Sequence, residues 1–180
     1  MSHLTLVIGG ARSGKSLHAH GLAEEFAGAN GAVTYIATAE AREPEMEARI
    51  ARHKSVRPAH WRTMEAPLKA AAAVSGVANG VVLLDCLTLY TTNHLLAASD
   101  PLSDDAGLAV EESVRDLLGA IAAAAPTHTV LVTNEVGLGI VPDTPLGRVF
   151  RDIAGRCNQM AAAAADDVVW MVAGIPVKIK

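Results

Sequence analysis

Eight residues near the amino terminus, Gly9-Gly10-Ala11-Arg12-Ser13-Gly14-Lys15-Ser16, constrain the fold of this chain more than any other stretch. They fit G-x-x-x-x-G-K-[ST], and their context is the one the motif requires. The apolar run Leu4-Thr5-Leu6-Val7-Ile8 reads as a strand before it, and Ser16 to Phe26 as a helix after it. Glycine lets the backbone wrap closely around phosphate oxygens, with successive N–H groups turned inward and the positive end of the helix dipole facing the anion. Lys15 supplies a mobile charge for β- and γ-phosphates, and Ser16 a hydroxyl for Mg2+. A glycine-rich turn matching by chance is the bland alternative, against which the flanking strand and helix argue.

The 180 residues suit one domain, 1–180, with a sizeable core. A composition of 51% hydrophobic and 19% charged residues excludes a disordered chain. The formal net charge of −4 and the aromatic content of 3% argue against nucleic acid as a partner. No apolar run approaches the roughly 18 residues of a membrane span. The first apolar stretch is too short for a signal peptide, so a cytoplasmic protein without a membrane span is expected. Cys86 and Cys157 have neither zinc-site nor disulfide-framework spacing and are expected to be reduced and mostly buried.

After the helix ending near Ala27, Ala32 to Ala37 reads as a second, buried strand ending in Thr38-Ala39. Carboxyl ends of strands in open α/β sheets face the ligand, so Thr38 is either near a nucleotide or an ordinary cap. Glu43 to Lys54 opens with acids and a proline and closes with bases, which predicts a helix. On it His53 shares a face with Met46 and Ile50, where a half-buried structural histidine is the commoner outcome. The cations Arg49, Arg52, Lys54, Arg57 and Arg62 suit a triphosphate, or a solvated basic helix end. A helix from Pro67 to about Val74 is followed by Val81-Val82-Leu83-Leu84-Asp85, a third strand whose terminal carboxylate is placed to help hold Mg2+. Periodicity leaves Cys86 to Asn93 undecided between a site lining and a helix. Ala98 to Asp105 reads as a surface loop, and Gly107 to Ala125 as a helix with Leu108, Val114, Leu117, Leu118 and Ile121 on its apolar face. Thr129 to Thr133 forms a fourth strand leading into a candidate ligand loop, Asn134 to Gly139. The guanine-reading N-K-x-D is absent there, which disfavours a Ras-like switch. A helix from Thr144-Pro145, a strand over 168–172 and a short edge strand at 176–179 complete the chain. This order specifies an α/β P-loop NTPase fold of RecA-like type, a mostly parallel sheet flanked by helices.

Nearly the whole chain resembles the adenosylcobinamide kinase/adenosylcobinamide-phosphate guanylyltransferase family of cobalamin biosynthesis. The resemblance rests on residues 9–16, Tyr35-Ile36-Ala37-Thr38-Ala39, Glu45-Met46 through Arg49-Ile50, His53, Arg57-Pro58, Trp61-Arg62-Thr63 and Glu65. It continues through Leu83 to Thr88, Thr133 to Gly137, Gly139 to Pro142, Phe150-Arg151-Asp152, Gly155, Asn158-Gln159 and Ala165-Asp166. It implies a bifunctional enzyme that phosphorylates adenosylcobinamide with ATP or GTP, then attaches GMP from GTP to that phosphate. It also implies that His53 carries GMP covalently, with Lys15 beside the phosphates. Ala37, Thr38, Ala39, Lys54, Ser55, Val56, Arg57, Glu65 and Asp85 become nucleotide contacts, Ser16 and Asp85 the Mg2+ ligands, and the assembly a homotrimer. The competing readings are a plain small-molecule kinase, in which His53 is structural, and a slowly hydrolysing nucleotide switch.

Overall fold

The structure, a computed structural model, describes all residues except Met1, Asn30, Arg42, Glu43, Val56 and Thr127, together with the side chain of Arg49. The assignment of Val56 to nucleotide binding, the helix start at Glu43 and the charge of Arg49 therefore lie outside the described residues.

The β-branched, apolar runs form strands buried on both faces, as parallel strands between helices must be. The described elements run β1 (His3–Gly9), α1 (Lys15–Ala27), β2 (Val33–Ala37), α2 (Pro44–Ser55), β3 (Arg62–Glu65), α3 (Ala70–Ser75), β4 (Val81–Asp85), α4 (Leu87–Ala97), α5 (Asp104–Ala123), β5 (His128–Asn134), α6 (Pro145–Ala164), β6 (Asp167–Val172) and β7 (Ile175–Lys178). The strands make one seven-stranded sheet in the order β3-β2-β4-β5-β1-β6-β7. All pairs are parallel except β6 with β7.

Side chains alternate across a strand, and the two cores follow that alternation. Leu6, Ile36, Val82, Leu84 and Leu131 point toward α3, α5 and α6, joining Val110, Val114, Leu117, Ile121, Ile153 and Cys157. Val7, Tyr35, Ala37, Val81, Leu83, Val130 and Val132 point to the opposite face, joining Ala19 and Ala23 of α1. Each fully buried Leu, Ile or Val side chain contributes roughly 1.5–3 kcal/mol. Both cysteines are buried and outside any disulfide, and burial pushes the Cys157 thiol up to about 12, which makes it inert.

Register gathers the carboxyl ends. Ala37 pairs with both Glu65 and Asp85, and Gly9 with both Asn134 and Met171. The site-bearing termini of β2, β3, β4, β1 and β5 thus share one edge of the sheet.

Several expectations are corrected. Arg62–Glu65 is a strand, so Asp85 ends the fourth strand rather than the third. Cys86 to Asn93 resolves as the cap and first turns of α4. Asp104 and Asp105, read as loop, are the first turn of α5, because the Ser103 side chain caps the helix by accepting from the Ala106 N–H. Leu108, assigned to the apolar face, is 59% exposed. Among the described residues no helix is long and apolar enough to cross a membrane.

Candidate active site

The phosphate loop is held in shape by its own backbone and by the turn between β6 and β7. Gly14 is left-handed (φ 90°), Ser13 N–H donates to Gly10 O, and Gly174 N–H donates to Ser13 O at 3.0 Å. Gly9 lies so close to β6 that an added Cβ would come within 2.9 Å of Met171 O and 2.6 Å of Ser13 Oγ. Lys15, buried at the start of α1, donates from Nζ to Gly10 O at 2.9 Å. Beyond the loop opens a cavity of about 800 Å3 bordered by residues Ala11 to Leu17, by Glu45, Ala48, Arg52 and His53 of α2, and by Asn134. That size suits a nucleotide. Ser13 borders this cavity through the loop, while its hydroxyl is buried on the Gly9 side without a hydrogen-bond partner. Gly9 and Gly10 stand behind this wall rather than in it.

A second, smaller cavity lies at the ends of β2, β3 and β4, bordered by Tyr35, Ala37, Ala39, Met46, Ile50, His53, Arg57, Glu65, Asp85, Cys86 and Leu89. His53 is the residue common to the two cavities. Its Nδ1 lies 3.4 Å from Asp85 Oδ2, with the His53 and Asp85 side chains 28% and 13% exposed. Tyr35 donates its hydroxyl to the same Asp85 oxygen at 2.5 Å. Burial pushes the Asp85 carboxyl up, but the hydrogen bonds from His53 and Tyr35 and the charges of His53 and His20 outweigh it, leaving Asp85 below the ordinary carboxylate value. Burial, then the Asp85 charge and hydrogen bond, raise the Tyr35 phenol, so it stays a protonated donor. Arg57 lies with its guanidinium carbon 3.4 Å from the Tyr35 ring centroid.

The other sequence-predicted residues divide. Ala37, Ala39, Arg57, Glu65 and Asp85 line the smaller cavity, and Lys54 is engaged in an ion pair with Glu65 at 2.9 Å. Ser55 turns its hydroxyl to Arg52 O at the helix end. Thr38 borders neither cavity. Fully buried, its hydroxyl donates to Cys86 O and accepts from Cys86 N–H, both at 2.8 Å, stitching β2 to the start of α4. Asn134 is fixed through its backbone, its N–H donating to Thr88 Oγ1 and its carbonyl accepting from Asn158. Arg52, Asn134 and Leu17 belong to the cavity wall, although the motif alone does not mark them. Nor does any sequence signal mark Tyr35 as more than core. Ser16 and Asp85 are oxygen donors of the kind Mg2+ takes alongside phosphate oxygens and water. Among the described residues no cluster of three or more His, Cys, Asp or Glu side chains forms a self-sufficient metal site.

A β-strand inside a mostly parallel sheet, followed at its carboxyl end by a phosphate loop and helix, with an acid ending another strand, defines a P-loop nucleotide-binding protein. In fold alone the chain is similar to a prototypical ATPase from the type III secretion system of pathogenic bacteria. The TM-score is 0.55 at 16% identity, covering 93% of this chain and 50% of that one. The model of the CobU family, cobinamide kinase / cobinamide phosphate guanyltransferase, matches residues 5–179. The bifunctional adenosylcobalamin biosynthesis protein CobU of Salmonella typhimurium is 48% identical over 185 residues, covering 98% of this chain and 99% of that protein. The bifunctional adenosylcobalamin biosynthesis protein CobP of Pseudomonas aeruginosa is 45% identical over 178 residues, covering 97% and 96%. The chain belongs to this family of kinase and guanyltransferase enzymes.

Proposed function

We propose that this protein phosphorylates the aminopropanol hydroxyl of adenosylcobinamide with ATP or GTP. It then transfers GMP from GTP to that phosphate through a guanylylated His53, giving adenosylcobinamide-GDP and pyrophosphate. The observation that carries the reading is that His53 borders the phosphate-loop cavity together with Lys15 and Ser16. A structural histidine, as in a plain kinase, has no need to stand there.

In the transferase step the neutral imidazole attacks the α-phosphorus of GTP. The bond from that phosphorus to the bridging oxygen breaks, and pyrophosphate leaves with the electron pair. Lys15 and the N–H groups of the loop meet the growing charge. The phosphoramidate is next attacked by an oxygen of cobinamide phosphate, which breaks the N–P bond and frees His53. Ser16 and the Asp85 oxygen other than the one facing Tyr35 and His53 would hold Mg2+, which would supply charge neutralisation on the triphosphate. In this reading Gly9 to Ser16 hold the phosphates. Ala37, Ala39, Lys54, Ser55, Arg57 and Glu65 hold the rest of the nucleotide; Ala37, Ala39, Arg57 and Glu65 share the border of the smaller cavity, which at about 30 Å3 has to open to admit it. The kinase step needs the γ-phosphorus at the acceptor and the transferase step the α-phosphorus, so either the nucleotide shifts or α2 moves between them. The protein works in the cytoplasm as a homotrimer. Support for assembly comes from the exposed apolar side chains Ile175, Val177 and Ile179 around the β7 edge, which an isolated chain leaves in water.

The test is a product assay. With ATP, GTP and adenosylcobinamide, chromatography should show the phosphate intermediate followed by adenosylcobinamide-GDP, with pyrophosphate released. Phosphorylation that stops at the intermediate leaves only a kinase, and nucleotide hydrolysis without a corrinoid product leaves only a switch.

A further inference from the structure

Tyr35 stands within β2, buried to 1% exposure, yet its hydroxyl ends in the site rather than in the core. Strand register explains how. Tyr35 pairs with Leu83 and Ala37 with Asp85, so Tyr35 and Asp85 are diagonal neighbours on the face that carries α1. A tyrosine is long enough to span that diagonal. Its ring is clamped by the Arg57 guanidinium 3.4 Å above the centroid and by the His20 ring edge-on at 5.8 Å. The hydroxyl is thereby aimed at Asp85 Oδ2, 2.5 Å away, and that oxygen is the one 3.4 Å from His53 Nδ1.

We propose that Tyr35 is a positioning residue for guanylyl transfer: it fixes Asp85 against His53 Nδ1, so that Nε2 is the atom that attacks the α-phosphorus and carries GMP. The inference rests on the reading of His53 as guanylyl carrier. With Nδ1 turned to Asp85 at the smaller cavity, the opposite edge of the ring is the one available to the phosphate-loop cavity that His53 also borders. The Nε2 lone pair forms the N–P bond as the bond to the bridging oxygen breaks, and the Nδ1 proton stays on the ring. Positive charge accumulates on the imidazole as the bond forms, and the Asp85 carboxylate faces that charge. Attack by cobinamide phosphate returns the pair to Nε2 and the ring to neutrality. An acid that orients a nucleophilic or basic histidine works on the same electrostatic logic. Here the tyrosine holds the acid.

Tyr35→Phe keeps the ring under Arg57 and removes only the hydroxyl. If Tyr35 acts through Asp85 on His53, the first-order rate of labelling by α-labelled GTP at saturation falls about 10- to 100-fold, the range known for losing an outer partner that orients a metal-bound histidine. The dissociation constant for GTP stays within about twofold, the split expected for an interaction used only in the chemical step. A hydroxyl that merely satisfies a buried carboxylate lowers thermal stability and leaves the saturated rate unchanged, which would overturn the proposal. So would a parallel loss of GTP affinity and rate, since that places Tyr35 in nucleotide binding. Independently of the variant, 15N,31P NMR of the guanylylated wild-type protein should show phosphorus coupled to Nε2, and linkage through Nδ1 refutes the geometry. Wild-type protein that takes up no label removes the carrier itself, a failure distinguishable from a labelled protein whose rate ignores Tyr35→Phe.

Discussion

Gly14→Ala tests whether the phosphate loop depends on the turn behind it. Gly14 is left-handed, with φ 90°, where a non-glycine residue costs about 1–2 kcal/mol. A Cβ there would also come 3.3 Å from Gly174 Cα, a backbone atom. Gly174 cannot retreat freely, since its N–H donates to Ser13 O at 3.0 Å, and losing that bond costs about 0.5–1.5 kcal/mol. The sum is about 1.5–3.5 kcal/mol, and at roughly 2–4 °C per kcal/mol for a chain of this size the melting temperature should fall about 3–14 °C. Gly10 supplies the control within the same loop. It has no positive φ, and a Cβ on it would meet nothing within 4 Å. Gly10→Ala should therefore be neutral or stabilising by up to about 1 kcal/mol through the unfolded chain. Calorimetry without nucleotide reads both, and GTP titration of Gly14→Ala should show affinity weakened at least about tenfold, equivalent to 1.4 kcal/mol. A Gly14→Ala protein as stable as wild type, or a Gly10→Ala protein equally destabilised, would show that the loop does not depend on the left-handed Gly14 and the turn at Gly174.

Two further outcomes follow from groups away from the loop. Burial holds His18, His94 and His128 below the ordinary imidazole value, with the His3 charge adding to the effect at His128. Their native rings bind protons less readily than their unfolded ones, so the associated stability is complete above about pH 6.5 and is lost progressively as the pH falls from there through the lowered native values. Urea midpoints should accordingly drop between pH 7.5 and 5.5, and a flat or rising profile contradicts the assignment. Thr144 caps α6 by accepting from the Gly147 N–H at 3.1 Å. Thr144→Ala should cost about 1 kcal/mol, measured as a shift in the same midpoints, whereas Thr144→Ser should cost less because the oxygen is retained.

What could be read from the sequence depended on whether the signal was local. The strand, phosphate loop and α1 are contiguous, and each part makes the others necessary, so motif and fold were both legible there. β3 was not. Arg62-Thr63-Met64-Glu65 is largely exposed and without periodic apolar character, and it is a strand because it pairs with β2. α4 stayed undecided because its polar residues are buried too. Thr91 and Thr92 return their hydroxyls to Thr88 O, and Asn93 donates to Thr38 O and Pro67 O, which erases the 3.6-residue contrast. The start of α5 was missed because Ser103-Asp104-Asp105, a cap followed by acids, belongs to a polar cluster that reads equally well as loop. At the site, Asp85 could be placed from its position at a strand end, and His53 only through family resemblance. The partnership of Tyr35 with Asp85, fifty positions apart, exists through strand register alone.

The role proposed for His53 is to displace pyrophosphate from a triphosphate gripped by the loop at residues 9–16. Incubation with GTP labelled at the α-phosphate, followed by peptide mapping, tests it directly. Acid-labile label is expected on the peptide containing His53, absent in His53→Ala and discharged on addition of cobinamide phosphate. Stable label elsewhere, or undiminished labelling of His53→Ala, would contradict it.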